Sequence, residues 1–434
     1  YNLFFSFHIL NVSIFFIDIS DLYAKIIENK LILYFFYILQ MRFGLSLILF
    51  FLFFGFSKAQ VQNFNVPKIS SDAKISLLTV GVGEEIYQLF GHTGIRIKDE
   101  KLGWDLVYNY GTFDFYDPNF IKKFIKGELD YFLSVDDFTA FMNEYVEENR
   151  SVHEQVLDLD STQVQKIFEF LTTNAREEFK YYRYDFLYDN CATRPRDVIV
   201  KVLFKDQLKF KPDVDDEATY RELIDRHNSN EWLDFGMDIA IGLPTDKKAG
   251  YGRTFLPFEL QQLIEGATLN GKSIVLSSSQ ILDTIPEHHS KKWFTPGLLF
   301  WLIFLFFFIL QIKNKFNAVL YKVVAVTFFT TLGLLGWLFI YFWFGTNHTT
   351  TYWNLNILWA MPLNLPIALF ILSNKYRKWV HQYFFVYRMI LVILLCGWGL
   401  NPQQYHAAVV PIILLAILLN SKYLTIPTSK EIDR

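Results

Sequence analysis

From residue 293 to residue 424 this chain is a succession of apolar runs broken by short polar segments, and few folds tolerate that pattern. The runs fall at roughly 294–312, 318–344, 354–373, 384–400 and 406–421. The first four are long enough to cross a bilayer core of about 30 Å as helices, and the last either spans or lies shallow. Basic residues gather on alternate breaks. "KNK" at 313–315 and "SNKYRKW" at 373–379 carry them, whereas 345–353 and 401–406 hold neither Lys nor Arg. Basic breaks stay on the cytoplasmic side. The spacing therefore predicts an all-α domain of about five spans over 293–424, with residues 425–434 as a cytoplasmic tail and the preceding domain outside.

The chain as a whole is 52% hydrophobic and 20% charged, and the excess sits in that half and at the N-terminus. Residues 60–292 read as ordinary globular protein, with charges and turn residues throughout. Before them, "MRFGLSLILFFLFFGFSKAQ" has a basic start at Arg42, an apolar run from Phe43 to Phe56 and a short polar end. That is the pattern of a secretory signal peptide over 41–59, cleaved after Ala59. Residues 1–40 have no role in an exported chain on this reading and are expected to be an upstream extension, with an extra transmembrane segment as the alternative. A net charge of −3 and the lack of a basic stripe argue against a nucleic-acid partner. The two cysteines, Cys191 and Cys396, fall in different halves, so no disulfide is expected; no Cys/His cluster suggests a metal, and no cofactor is implied.

Within the globular part, "AKISLLTV" (73–80) reads as a strand. Thr93–Lys98 and Leu106–Tyr110 read as neighbouring strands joined by a turn near Asp99–Gly103. His92 opens the first of these two, between Gly91 and Gly94. Residues 161–177 predict a helix with a Ser/Thr cap, and "CATRPRDVIVKVLF" a second helix with Cys191 near its first turn. A thiol there faces the positive end of a helix dipole, which lowers its pKa, and an imidazole beside it would serve as base. Cys191 and His92 are thus the candidate nucleophile and base. An inert buried cysteine is the plain alternative, and His153 is a second candidate base.

A histidine opening a strand, a second strand, and a later "NC" opening a helix resemble the circularly permuted NlpC/P60 and lecithin–retinol acyltransferase thiol enzymes. The resemblance implies an α+β domain and a third polar residue on the strand beside the histidine. Asn109 in "VYNYG" occupies that place, with Tyr108, Tyr110 and Asp105 as alternatives. The succession "YQLFGHTGIRIKD", "VYNYGTFDF", "YDNCATRPRD", "FGMDIAIGLPTD", "FLP", "NHTTTYWNLNILWAMP" and "HAAVVPIILL" is similar to the Bacteroidota lipoprotein N-acyltransferases called Lnb. The likeness runs from about residue 70 to 420 and is weakest over 210–250.

What this likeness implies is an inner-membrane enzyme with its catalytic domain in the periplasm. It would move an acyl chain from a glycerophospholipid through a Cys191 thioester to the N-terminal amine of a diacylated lipoprotein. Membrane lipid is a further implied partner. Asn190, Arg194 and Tyr87 are candidates for the oxyanion or substrate. His348, Asn354 and Asn356, polar residues at the membrane face, are candidates for a functional role or for helix packing. Lys291, Lys292 and Trp293 look like interfacial anchors. A membrane-anchored thiol hydrolase and a non-catalytic envelope scaffold are the rival functions.

Overall fold

The computed structural model describes residues 66–203, 208–211, 217–227, 231–285 and 293–424. The predicted extension, signal peptide, tail, and Lys291 and Lys292 lie outside the described residues. The described residues from 66 onward form one compact unit, so the soluble and apolar halves pack together.

The soluble half is built on a seven-stranded antiparallel sheet of order β6-β4-β3-β2-β1-β5-β9. Its strands are β1 (Lys74–Val80), β2 (His92–Asp99), β3 (Trp104–Thr112), β4 (Asp130–Asp137), β5 (Val152–Leu157), β6 (Tyr181–Arg183) and β9 (Val275–Leu282), while β7 (Thr268–Leu269) and β8 (Lys272–Ser273) form a separate ribbon. The expected strands 73–80, 93–98 and 106–110 are all present, and β2 and β3 pair as expected. β1 is apolar on both faces because both are covered. Ile75 and Leu77 join Ile95, Ile97, Tyr108 and Tyr110 under α3 (Ser161–Asn174) and α4 (Thr193–Leu203). Leu78 and Val80 join Val107 and Phe141 under α2 (Phe138–Glu147). Each such side chain withdrawn from water contributes about 1.5–3 kcal/mol. α3 is capped by Asp160, not by Ser161. The Asp160 carboxylate accepts from the Thr162 and Gln163 N–H groups, and Gln163 returns a bond to the Asp160 N–H.

α1 (Phe120–Lys126) precedes β4 on the sheet's rim, and Gly127 ends it in the left-handed conformation. α5 (Tyr220–His227) and α6 (Glu231–Ala240) lead from the soluble half toward the apolar one, and α7 (Pro257–Glu265) returns to the sheet core through Leu260 and Ile264. Phe235 of α6 already belongs to the core of the apolar half.

That half contains α8 (Pro296–Ile312), α9 (Ala318–Gly345), α11 (Arg377–Cys396) and α12 (Val409–Asn420). α9 and the segment Asn374–Cys396 are long and apolar enough to cross a bilayer; α8 and Val409–Tyr423 are shorter apolar helices. The continuous span expected over 354–373 is not formed. It is a 3-10 turn (Leu355–Leu358), a bend and the short α10 (Asn364–Phe370). Pro362 and Pro366 remove backbone donors, and α9 accepts the broken backbone at close range. A Cβ on Gly333 would strike the Leu365 backbone and one on Gly336 the Ala360 carbonyl, so this approach requires both glycines. The two breaks predicted to face the soluble domain do contact it: Asn347 N–H donates to the Lys126 carbonyl at 2.7 Å, and Gln404 N–H to Asp246 at 2.8 Å.

Candidate active site

Antiparallel register and the two-residue period of a strand bring three side chains onto one face. Gly94 pairs with Asn109, and Asn109 pairs with Ser134. His92 and Asp136, each two residues from such a position, therefore share the face of Asn109. Gly94 has no side chain to block them: a Cβ there would sit 3.0 Å from Asn109 Oδ1.

The hydrogen bonds run in one direction. Asn109 Nδ2 donates to Asp136 Oδ2 at 2.9 Å, and Ser134 Oγ donates to the same oxygen at 2.8 Å. A carboxylate only accepts, so it fixes which end of the Asn109 amide faces away. Asn109 Oδ1 then lies 3.3 Å from His92 Nε2 and accepts its proton. Nε2 carries the hydrogen, and Nδ1 keeps the lone pair. Burial, the largest cause, and the nearby Arg150 charge push the imidazole down to about 4, against smaller upward pulls from Asn109 and Asp136. The ring is neutral at physiological pH.

Cys191 reaches this corner from the turn before α4. Thr93 N–H, one residue on from His92, and the Tyr184 hydroxyl both donate to its sulfur. Gly111 lets the turn come close: its φ is +93°, and a Cβ there would lie 3.2 Å from the Cys191 Cβ. Asn190 builds the turn. Its Oδ1 accepts from the Ala192 and Thr193 N–H groups at 2.8 and 2.9 Å, and its Nδ2 donates to the Phe186 and Phe255 carbonyls, both at 2.8 Å.

Two expectations are corrected here. The thiol is not depressed by the helix dipole. Burial raises it to about 11, outweighing the donors at sulfur and the Arg150 charge. Asn190 is a buried cap and offers no donor to an oxyanion, because its own N–H donates to Thr193 Oγ1 at 2.7 Å. Of the N–H groups at the helix start, Asn190 caps those of Ala192 and Thr193, while the Cys191 N–H itself faces the sulfur together with Thr93 N–H and the Tyr184 hydroxyl.

The remaining candidates have other work. Arg194, a candidate for the oxyanion or substrate, is committed within the fold: its guanidinium forms a two-pronged bond to Asp189 at 2.6 and 2.8 Å and lies 3.4 Å from the Tyr182 ring centre. Tyr108 and Tyr110 point to the opposite face and bond Thr172 and Asn174; Asp105 pairs with Arg96. His153 bonds Ser278 and Gln280 on β9. Tyr87 is half exposed and packs on Phe113 and Phe115.

The polar membrane-face residues are clasps between the two halves. Asn354 Nδ2 donates to the Ile239 and Ala240 carbonyls at 2.6 and 3.1 Å, and Asn356 Nδ2 to those of Asp238 and Ile239 at 3.1 and 3.3 Å. They satisfy the open carbonyls at the end of α6. His348 does the same for α1, with Nε2–H donating to the Phe124 and Ile125 carbonyls, both at 3.0 Å. Sequence reasoning missed Asp136, Tyr184, Arg150 and Gly111. "DYFLSVDD" carries strand-forming residues, but only its register on β3 brings Asp136 beside Asn109, and no local signal holds that register.

Two family matches cover most of the chain. Residues 65–226 match the Lnb N-terminal periplasmic domain, and residues 288–431 match the Lnb transmembrane domain. Their order is that of the two structural halves. The chain belongs to the Lnb family. Lnb membership implies lipoprotein N-acylation, with a periplasmic domain and a transmembrane domain. No curated protein and no solved structure matches the chain. The segment between the two Lnb matches contains α6, the helix clasped by Asn354 and Asn356.

Proposed function

We propose that this Lnb protein transfers an acyl chain from a glycerophospholipid to the N-terminal amine of a diacylated lipoprotein, with Cys191 as the carrier. The observation that supports this best is the thiol at the head of β2, whose sulfur faces the N–H of Thr93, the residue after a neutral His92 that is hydrogen-bonded to Asn109 and through it to Asp136. Low-dielectric enclosure suits a neutral thiol–imidazole pair, because proton transfer and attack can occur together.

In the first step His92 Nδ1 takes the thiol proton as the sulfur attacks the ester carbonyl. A C–S bond forms and the ester C–O bond breaks. The imidazolium returns its proton to the departing lysophospholipid oxygen. In the second step the deprotonated lipoprotein amine attacks the thioester. A C–N bond forms, the C–S bond breaks, and the amine proton passes through His92 back to sulfur. Thr93 N–H and the Tyr184 hydroxyl are placed to stabilise charge as it develops near sulfur. Asn109 and Asp136 act through His92 as positioning residues. The likeness to permuted NlpC/P60 thiol enzymes belongs to the same proposal: it supplies the order histidine, polar strand residue, cysteine.

The test uses purified full-length protein in detergent with phospholipid and a synthetic diacylated lipopeptide, read by intact mass. One added acyl group, absent with Cys191→Ser, is the expected result. Free fatty acid with unchanged lipopeptide would make the protein a hydrolase. An acylated product undiminished in the serine variant would remove Cys191 from the mechanism.

A further inference from the structure

The thiol chemistry leaves one groove without a role. It encloses about 690 Å³ between α1 and Tyr341 of α9. Phe115, Phe120, Ile121 and Ile125 give it an apolar wall, with Lys122 and Lys126 at its edge. Its acidic lining residue, Asp117, is paired with Lys123 at 2.8 Å. Lys126 has Glu128 4.0 Å away, outside the lining, so the lining itself, with Lys122 and Lys126 against Asp117, carries a positive net charge.

The groove stands where the protein leaves the membrane. Tyr341 is one turn from the end of α9, and the residues just beyond that end hold α1 in place. Asn347 N–H binds the Lys126 carbonyl, and His348 binds those of Phe124 and Ile125. Phe344 and Trp353 are exposed at the same level, as interfacial aromatic residues are. On α1 itself Ile121 is 71% exposed, and Phe124 and Ile125 are nearly half exposed. A helix in water does not present such a face without an occupant, whereas one lying in the headgroup layer does.

From this groove aromatic rings lead to the thiol. Phe120 stacks on Phe113 at 5.7 Å, Phe113 meets Tyr131 at 5.3 Å, and Tyr131 stacks on Tyr184 at 4.4 Å. The Tyr184 hydroxyl donates to Cys191. Tyr87 packs on the same wall through Phe113 and Phe115.

We infer that the groove binds the acyl donor, a glycerophospholipid of the leaflet facing the soluble domain. Lys122 and Lys126 take its phosphate, and one acyl chain lies along Phe120, Phe113 and Tyr131 with its ester toward Cys191. This assignment rests on the acyl-transfer proposal for its purpose, but its test does not. Full-length Cys191→Ser protein is placed in bilayers doped with a diacyl phosphatidylglycerol carrying a mid-chain diazirine. It is irradiated, and the labelled peptides are mapped by mass spectrometry. The expected label falls between Phe113 and Tyr131. It drops at least fivefold with Ile121→Glu and with Lys122→Glu, both exposed positions, while labelling of α9 by bulk lipid is unchanged. Label confined to the apolar helices, or label at 113–131 indifferent to both substitutions, would overturn the inference. Because the label reads binding and not turnover, these results are independent of whether the wild type releases lysophospholipid, which tests the acyl-transfer proposal by itself.

Discussion

Asp136→Asn isolates the role of the carboxylate from its shape. In the wild type Asp136 can only accept, so Asn109 must present its Nδ2 to it and its Oδ1 to His92. An asparagine at 136 can donate. The Asn109 amide is then free to turn over and offer Nδ2 to the imidazole, which forces the proton from Nε2 to Nδ1 and removes the base. The wild-type arrangement is held by a charge-assisted bond of 2.9 Å from Asn109, with a second of 2.8 Å from Ser134 steadying the acceptor. A hydrogen bond to a charged group contributes about 1.5–3 kcal/mol. Losing that bias lowers the fraction of the competent tautomer by about ten- to 150-fold. Removing the negative charge also lets the His92 pKa fall further, since Asp136 is one of the two groups that raise it. The assay is single-turnover release of lysophospholipid from a fluorescent donor, followed from pH 4 to pH 10. The expected rate is down by about ten- to 150-fold at neutral pH, with near wild-type thermal stability and donor affinity. A rate within threefold of wild type would show that the tautomer is set by something other than Asp136.

Four further outcomes follow from the structure. With His92 down at about 4 and Cys191 up at about 11, the wild-type rate rises as pH climbs through about 4 and is flat across neutrality, not bell-shaped near pH 7. The sign for stability is set by both groups being neutral when folded. The His92 contribution is present above its unfolded value of 6.5 and is lost as pH falls toward about 4, and that of Cys191 is present below 9.0 and is lost as pH rises toward about 11. Denaturation midpoints measured across pH check both limbs. Gly111→Ala puts a Cβ at 3.2 Å from the Cys191 Cβ on a backbone with φ of +93°. It is expected to lose about 1–2 kcal/mol of stability and to slow thiol alkylation and turnover together, and unchanged turnover would argue against this fit. Asn354→Leu takes the side-chain donor from the Ala240 carbonyl, at about 1–3 kcal/mol, and leaves the Ile239 carbonyl only the longer Asn356 bond at 3.3 Å. Limited proteolysis should then cut near α6 sooner, with little change in the intrinsic reactivity of Cys191.

The first strands were readable because alternation, turn residues and apolar content all agree over residues 73–112. The pairing of His92, Asn109 and Cys191 could be proposed from order alone. Asp136 could not, because nothing local distinguishes it from Asp137 beside it; only the register of β4 on β3 aims one toward Asn109 and the other away. Asn354 and Asn356 looked like polar residues stranded at membrane depth. Their partners are backbone carbonyls more than 110 positions earlier, which no window of sequence could contain.

By itself the sequence determined the division into a soluble and an apolar half, the sidedness of the loops, the sheet's first three strands, and the residue types able to do thiol chemistry. These depend on periodicity, charge and local turn chemistry, which act over a few residues. The tertiary structure decided the protonation states. A helix start alone would lower the thiol pKa, but enclosure raises it, and enclosure is made by Tyr184, Thr93 and the sheet rim meeting from distant parts of the chain. It also decided that Pro362 and Pro366 break a span, because only the close face of α9 at Gly333 and Gly336 can hold the broken backbone. Desolvation and close packing are properties of a place in space, and a place exists only once the chain has folded around it.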